Sequence, residues 1–309
     1  MTSGPAPGRR GGPTGSRRRD VAGAGGVRLR VTESGPADGG PDGVHLLLVH
    51  GYPDDASMWD DVVDHLPPDW HVVRHDVRGA GGSEAPARRE AYAISCLVGD
   101  IAAVVESCVP DGARVHLAAH DWGAIQSWAA IDQHAPSSLQ GRVASYTAMS
   151  GPSLDELGLS LRRRGGLRRL LKQLVLHSWY VWLFHLPRLP EWLWTRQPWW
   201  LRRVIRLLDD TTRLLDWGPQ VAANARPGLE LYRANVTQRI RDPRDWRSDV
   251  PTQLLIATDD PWISTASLHG LDRHLTDLRR VEVDEGHWLP RVRPGWVADQ
   301  VAEQVLRQA

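Results

Sequence analysis

Asp121 stands at the centre of a five-residue motif whose residue types and spacing favour nucleophilic chemistry. Residues 119–123 read AHDWG, with small residues two positions before and two positions after the aspartate. A strand pattern (113–118) precedes the motif and a helix pattern (122–134) follows it, as at a sharp strand-to-helix turn that exposes a nucleophile. A carboxylate at the apex would attack an sp³ carbon and form an alkyl ester. The alternative is a loop aspartate that only caps the helix.

Two further polar segments follow later strand patterns. The run TDDPWI (258–263) comes directly after a buried strand pattern, and DEGHW (284–288) comes after the last one. Polar residues at the carboxyl ends of strands in an open α/β sheet gather at one edge, where sites form. We therefore expect Asp121, an aspartate of the first run and His287 to lie close together.

The rest of the chain supplies the sheet that must position these groups. Nearly continuous apolar runs are typical of strands that are buried on both faces, and here they alternate with helical patterns. The strand patterns lie at 27–31, 44–49, 71–77, 113–118, 143–149, 253–257 and 280–283. From 153 to 246 helical patterns rich in Arg, Leu and Trp replace them. The sequence thus predicts an α/β fold with a mostly parallel central sheet and an inserted helical lid.

Four segments follow from these patterns. Residues 1–26, rich in Gly, Pro, Ser and Arg, are predicted to be a disordered tail, with a tether to nucleic acid as the lesser alternative. The α/β core comprises 27–152 and 247–309, and the helical lid comprises 153–246. No apolar stretch follows the arginines at 17–19, so a signal peptide is not expected.

The composition indicates which partners, cofactors and cellular setting to expect. The formal net charge is zero, so nothing in the overall balance points to nucleic acid. Cys96 and Cys108 are too few for a disulfide scaffold and predict a reducing, cytoplasmic setting. The histidines lack a metal-ligand spacing, and we predict neither a metal nor a cofactor. Six basic residues in 161–172 and the tryptophans of 192–200 allow membrane contact, although a lid with solvated arginines is preferred.

Three motifs carry a resemblance to a known family. In order along the chain they are HGYP (50–53), DVRGAGGS (76–83) and HDWG (120–123). With them the chain resembles the α/β-hydrolase fold and, within it, the epoxide hydrolases, including bacterial forms that can be fused to a short-chain dehydrogenase module. The resemblance extends over roughly residues 27–307, and the chain is expected to be too short for that module.

The resemblance implies a role for each residue of the site. Asp121 would be the nucleophile, His287 the base and Asp260 the orienting acid. Asp260 fits the family pattern because an aliphatic residue follows it three positions later, and Asp259 remains the alternative. The backbone amides of Tyr52 and Trp122 would stabilise the oxyanion, and a cis peptide is expected before the proline that follows Tyr52.

Two tyrosines of the predicted lid indicate which leaving group the site would protonate. Tyr180 and Tyr232 match the positions from which epoxide hydrolases protonate the opening ring, and the chain has only five tyrosines. The alternative is that both are packing residues. The expected substrate is a lipophilic epoxide that reacts with water to a vicinal diol. Haloalkane dehalogenases share the aspartate motif but need no acid, and they are the alternative enzyme.

Overall fold

Eight strands form one sheet in the computed structural model, which describes residues 15–40, 42–163, 179–196, 198–209 and 220–308. The strand order is β1-β2-β4-β3-β5-β6-β7-β8, where β2 pairs antiparallel with both of its neighbours, β1 and β4, and the remaining neighbours pair in parallel. The predicted α/β architecture with a mostly parallel sheet is confirmed. The strands are β1 (Arg17–Ala22), β2 (Arg28–Ser34), β3 (His45–Val49), β4 (His71–His75), β5 (Val115–His120), β6 (Val143–Met149), β7 (Thr252–Ala257) and β8 (Leu278–Val283).

Helices cover both faces of this sheet, which explains the continuous apolar runs in its strands. Along β3, Leu46 and Leu48 pack on one side against the helices α1 and α10, whereas Leu47 and Val49 pack on the other side against α2 and α3. The four side chains are at most 1% exposed. Burial of each such side chain contributes about 1.5–3 kcal/mol. The helices of the core are α1 (Asp60–Val63), α2 (Ile94–Cys108), α3 (Trp122–Ala130), α9 (Leu289–Val292) and α10 (Pro294–Leu306).

The five other described helices lie between β6 and β7, in the region predicted as the lid. They are α4 (Leu154–Leu161), α5 (Trp179–His185), α6 (Leu189–Arg196), α7 (Pro198–Leu208) and α8 (Val221–Arg241). The helical character of this insertion is therefore as expected. The bounds of a lid domain at 153 and 246 stay a prediction.

The prediction of a disordered tail through residue 26 is wrong for residues 17–26. Residues 17–22 form the edge strand β1, which pairs with β2, and a 3-10 turn follows at Ala24–Gly26. Val21 is buried, while the charged residues of β1 face solvent and pair across the strands, as Asp20 does with Arg30 at 2.7 Å. An edge strand buries few side chains, so its sequence carries little apolar signal. Residues 1–14 lie outside the described residues.

Candidate active site

The backbone at Asp121 is a sharp turn between β5 and α3. Its φ of 51° lies in the left-handed region, which L-residues adopt rarely and at a cost. A Cβ atom on Gly123 would lie 2.2 Å from the carbonyl oxygen of Val49, and one on Gly51 would lie 2.4 Å from Asp121 Oδ1. Small residues are therefore required around the turn. Asp121 makes no side-chain capping hydrogen bond to α3 in the described structure, so the cap alternative is wrong.

Asp121, His287 and Asp260 come together at the carboxyl edge of the sheet. His287 Nε2 lies 3.6 Å from Asp121 Oδ2, and His287 Nδ1 lies 2.8 Å from Asp260 Oδ2. The other oxygen of Asp260 accepts hydrogen bonds from the N–H groups of Trp262 and Ile263 at 2.8 and 2.9 Å, which fix the carboxylate. Asp259 is exposed at the surface. The aspartate that contacts His287 is therefore Asp260, and not the alternative, Asp259.

Two carboxylates control the protonation of His287. Burial by itself would lower the pKa of this histidine, but Asp260 and Asp121 raise it to about 10. An imidazolium held between two carboxylates is favoured because its charge is compensated on both sides. His287 is thus protonated in the resting site. It loses this proton more readily once Asp121 no longer carries a negative charge.

One oxygen of Asp121 already has an amide donor. The N–H of Tyr52 donates to Asp121 Oδ1 at 2.7 Å, and the Tyr52–Pro53 peptide is cis, as predicted. Trp122 begins α3, so its N–H belongs to the first turn, where amides have no acceptor within the helix. The two predicted amides therefore flank Asp121, one from the loop after β3 and one from the start of α3.

Tyr180 and Tyr232 form part of an aromatic cluster close to Asp121. Their ring centroids are 6.1 Å apart, and the Tyr232 ring contacts those of Tyr52 and Trp122 at 5.3 and 4.9 Å. Burial and then the charge of Asp121 raise the pKa of Tyr180. Burial, Tyr180 and Asp121 raise the pKa of Tyr232 as well. Both phenols therefore keep their protons at neutral pH and can donate them.

Both tyrosines line a cavity of about 590 Å³. It lies between α4, α5, α8 and residues 263–273, and it reaches the surface near two exposed arginines, Arg241 and Arg273. A mostly apolar lining suits a lipophilic ligand. The apolar lining residues include Ile125, Leu154, Leu157, Val236, Ile240 and Ile263.

Arg233 joins the helices that carry the two tyrosines. Its Nε donates to the carbonyl oxygen of Phe184 at 2.8 Å and one Nη donates to that of Leu186 at 2.9 Å, at the end of α5. The other Nη donates to Glu191 at 2.6 Å and to Glu230 at 2.8 Å. This single guanidinium thus fixes α5 and α6 relative to α8.

Two asparagines attach α8 to the core. Asn224 donates to Asp55 at 3.1 Å and accepts from the N–H of Gly81 at 2.9 Å. Asn235 accepts from the N–H of Ile94 at 2.8 Å and donates to the carbonyl oxygen of Tyr92, also at 2.8 Å. The long helix is therefore held on both sides of Tyr232. Sequence reasoning missed both asparagines, although Asn235 lies within the LYRAN segment that marked the tyrosine.

The main chain of His287 is held by three side chains that sequence reasoning missed. His120 Nε2 and the Ser150 hydroxyl donate to its carbonyl oxygen at 2.8 and 3.3 Å. Asp209, which follows α7, accepts from its N–H at 3.0 Å. Burial lowers the pKa of His120 to about 4, so this ring is neutral and donates through one nitrogen. His120 sits in the HDWG motif, so its position was visible in the sequence even though its role was not.

The glycine-rich loop at 76–83 has a structural role. Asp76 accepts from the N–H groups of Ala56 and Gly82 at 2.8 and 2.7 Å, which ties the loop to the 3-10 turn at Ala56–Trp59 that precedes α1. Arg78 is 1% exposed and forms a two-pronged ion pair with Asp100 of α2, with Nε 2.6 Å from Oδ2. The motif thus supports the sheet edge beside the site.

Other expectations concern metals and membranes. Among the described residues there is no group of three His, Cys, Asp or Glu that could hold a metal ion. The described helices include none long and apolar enough to cross a bilayer. Cys96 and Cys108 are both free thiols. The cytoplasmic location stays a prediction.

Comparison with known proteins agrees with the fold. The chain is 32% identical over 288 residues to a probable oxidoreductase EphD of Mycobacterium tuberculosis, covering 89% of this chain and 47% of that one. It is 37% identical over 130 residues to epoxide hydrolase A of the same organism, covering 42% and 37%. The chain thus spans less than half the length of these curated relatives.

A solved structure of an epoxide hydrolase from Bacillus megaterium, in complex with its product (R)-3-[1]naphthyloxy-propane-1,2-diol, has a TM-score of 0.73. It is 22% identical and covers 94% of this chain and 100% of that one. The model of the alpha/beta hydrolase family matches residues 46–300. The matched range includes Asp121, Asp260 and His287 and the tyrosines Tyr180 and Tyr232. The chain belongs to the alpha/beta hydrolase family.

Proposed function

We propose that this protein hydrolyses epoxides to vicinal diols through an alkyl ester on Asp121. The observation that carries the proposal is the pairing of a carboxylate nucleophile with two tyrosines, Tyr232 buried and Tyr180 partly buried, whose phenol pKa values are raised first by burial and then by neighbouring groups that include Asp121. A nucleophilic carboxylate reacts at an sp³ carbon, and the phenols supply the proton that an opening epoxide needs.

The two oxygens of Asp121 have different roles in the first step. Oδ1 accepts from the Tyr52 amide, whereas Oδ2 lies on the side of His287. Oδ2 attacks an epoxide carbon, the carbon–oxygen bond of the ring breaks, and the departing oxygen takes a proton from Tyr180 or Tyr232. Oδ1 becomes the ester carbonyl oxygen, already placed against an amide donor.

Protonation of His287 changes once the ester has formed. The new ester removes one of the two charges that raise the histidine pKa to about 10. The imidazolium then returns a proton to the tyrosinate, which restores the phenol and leaves a neutral base. This transfer keeps the charge of the site balanced through ring opening.

His287 then activates water for the second step. It takes one proton from a water molecule, whose oxygen adds to the ester carbonyl carbon while the oxyanion forms on Oδ1. The diol oxygen leaves with the other proton. Asp260 holds the ring at 2.8 Å and stabilises the imidazolium that results. The site returns to its starting charge, so the two steps form a closed cycle that needs no cofactor.

Haloalkane dehalogenation is the second candidate, and one specific observation favours it. The indole N–H groups of Trp122 and Trp262 are buried, and neither has a hydrogen-bond partner among the described residues. Such donors could stabilise a departing halide. Epoxide hydrolysis is preferred because it also uses the two tyrosines, which a halide leaving group does not require.

A substrate panel separates the two reactions. The protein would be incubated with styrene oxide, an aliphatic epoxide and a bromoalkane, with diol and bromide measured separately. We expect diol from at least one epoxide, and Asp121→Asn serves as the inactive control. Release of bromide without diol would assign the site to dehalogenation instead.

A further inference from the structure

Large exposed apolar side chains are concentrated in one part of the described chain. Nine such residues are more than 40% exposed, and eight of them lie between 179 and 208, on α5, α6, α7 and the adjoining turns. A folded protein rarely exposes a contiguous apolar patch without a binding role. We call this surface the lid face; its apolar members are Trp179, Trp182, Leu186, Leu189, Trp192, Trp199, Leu207 and Leu208.

Most of these residues follow the helical repeat, so each helix presents an apolar stripe; Leu208, which lies nine positions after Trp199, is the exception. On α5 and just beyond it, the positions 179, 182 and 186 are spaced three and four residues apart. On α6 the pair Leu189 and Trp192 has the same spacing, and on α7 Trp199 and Leu207 are eight apart. Residues with this spacing lie on one side of a helix. The opposite sides face inward, where Phe184 and Trp194 are buried.

Positive charge accompanies the exposed tryptophans. Within the described residues of 179–209, every exposed charged side chain is an arginine: Arg188, Arg196, Arg203 and Arg206. These four arginines make no ion pair with any other described residue. The two acidic residues of the range are engaged elsewhere, Glu191 with Arg233 and Asp209 with the main chain of His287. The lid face is therefore apolar and cationic.

We propose that the lid face rests on the surface of an anionic phospholipid bilayer. Tryptophan is enriched at the depth of lipid headgroups because its ring is apolar and its N–H is polar, and arginines bind the phosphates around it. A second copy of the chain fits less well, because a symmetric contact would place four arginines against the same four. The inference does not depend on the reaction.

The cavity lies directly beside this face. Trp182 is 54% exposed and belongs to the lid face, yet it also lines the cavity, together with His185 one turn along α5. A lipophilic molecule dissolved in the bilayer would therefore enter the cavity beside the bound face. Contact with a membrane would bring the Trp182 side of the cavity next to the phase that concentrates lipophilic molecules.

Co-sedimentation with vesicles tests the proposal. The full chain would be mixed with vesicles of phosphatidylcholine alone or with about one third phosphatidylglycerol, at low salt and at about 0.5 M NaCl. We expect binding to the anionic vesicles at low salt, weakened by salt and by omission of phosphatidylglycerol. No sedimentation with anionic vesicles at low salt overturns the proposal.

Matched variants locate the contact. Arg203→Glu with Arg206→Glu, and separately Trp192→Ser with Trp199→Ser, should each lower the partition coefficient at least about tenfold. Leu306→Ser with Arg307→Glu alters an exposed leucine and arginine at the end of α10 and should leave binding unchanged. Circular dichroism and epoxide turnover without vesicles verify folding.

Three results of the variant series contradict the assignment. Equal loss of binding in the α10 variant, or none in the lid-face variants, would place the contact elsewhere. A dimer that forms with rising concentration and disappears in the tryptophan variant would assign the lid face to a second copy of the chain.

Discussion

The carboxylate of Asp209 accepts a hydrogen bond from the main-chain N–H of His287 at 3.0 Å. Asp209 follows α7 of the helical insertion and is 2% exposed, whereas His287 follows β8 of the core. The position of the base is therefore linked to the conformation of the insertion. A small displacement of a catalytic group costs much of the rate, because the reacting atoms must be aligned.

Replacement of Asp209 tests this link. Asp209→Ala removes the acceptor and should lower turnover about 10-fold or more, because the histidine loop loses one of its three anchors. Asp209→Asn keeps an acceptor oxygen and should recover most of the rate. The burst and steady-state rates would be measured together with the pH profile. Equal loss in both variants would mean that the negative charge, and not the hydrogen bond, matters.

Removal of the lid phenols tests the acid. Tyr180→Phe combined with Tyr232→Phe should lower epoxide turnover by about 100-fold or more, because a positioned acid contributes about 10²–10⁴-fold. Each single change should cost less, since one phenol remains. Tyr92→Phe is a control, because Tyr92 is buried outside the cavity lining. Unchanged turnover in the double variant would remove the acid role.

The raised pKa of His287 predicts a pH-dependent contribution to stability. The histidine has a pKa of about 10 in the folded protein, against about 6.5 in the unfolded chain. Its contribution is therefore complete below pH ~6.5 and is lost as the pH rises through about 10, by at most about 1.4 kcal/mol per pH unit. Urea unfolding of the wild type and of His287→Gln between these pH values measures it. The difference in the free energy of unfolding between the wild type and His287→Gln should shrink as the pH rises. A constant difference would contradict the raised pKa of His287.

The buried pair of Arg78 and Asp100 predicts a large loss of stability on mutation. Asp100→Ala leaves a guanidinium buried without its partner and should cost about 3–5 kcal/mol in the free energy of unfolding. Asp20→Ala is the matched control, since Asp20 pairs with Arg30 at 2.7 Å on an exposed strand edge. That change should leave the free energy of unfolding nearly unchanged, because an exposed ion pair contributes little. Similar urea midpoints for both variants would argue against a structural role for the loop motif.

Much of the core was predictable from the sequence because its determinants are local. Strands buried on both faces are mostly apolar, so β3, β5 and β6 were visible as largely apolar runs. Asp121, Asp260 and His287 each follow a predicted strand. The parallel sheet brings the carboxyl ends of these strands together. The edge strand β1 was not predicted because its side chains are mostly exposed.

The remaining features of the site depend on contacts between distant segments. Asp209 is 78 positions away from His287, and in sequence it is one of two aspartates that end a leucine-rich helix. Arg233 acts through carbonyl oxygens at the end of α5, and any residue can supply a carbonyl. Hydrogen bonds from side chains to a distant backbone leave no periodic pattern. Exposure of the tryptophans likewise required knowledge of which side of each helix faces inward.

Capture of the ester would test the nucleophile and the order of the steps. His287→Gln leaves Asp121 and the tyrosines in place but removes the base, so ring opening should proceed while hydrolysis of the ester slows. The protein would then gain the whole mass of the epoxide, because no atom leaves when the ring opens. A bromoalkane would instead add its mass less that of hydrogen bromide.

Peptide mapping should locate this added mass on the segment that contains Asp121. The double variant with Asp121→Asn is the control and should remain unmodified. The absence of any adduct in His287→Gln, under conditions in which the wild type turns over, would rule out a covalent intermediate. Water would then have to attack the epoxide directly, with Asp121 acting as its base.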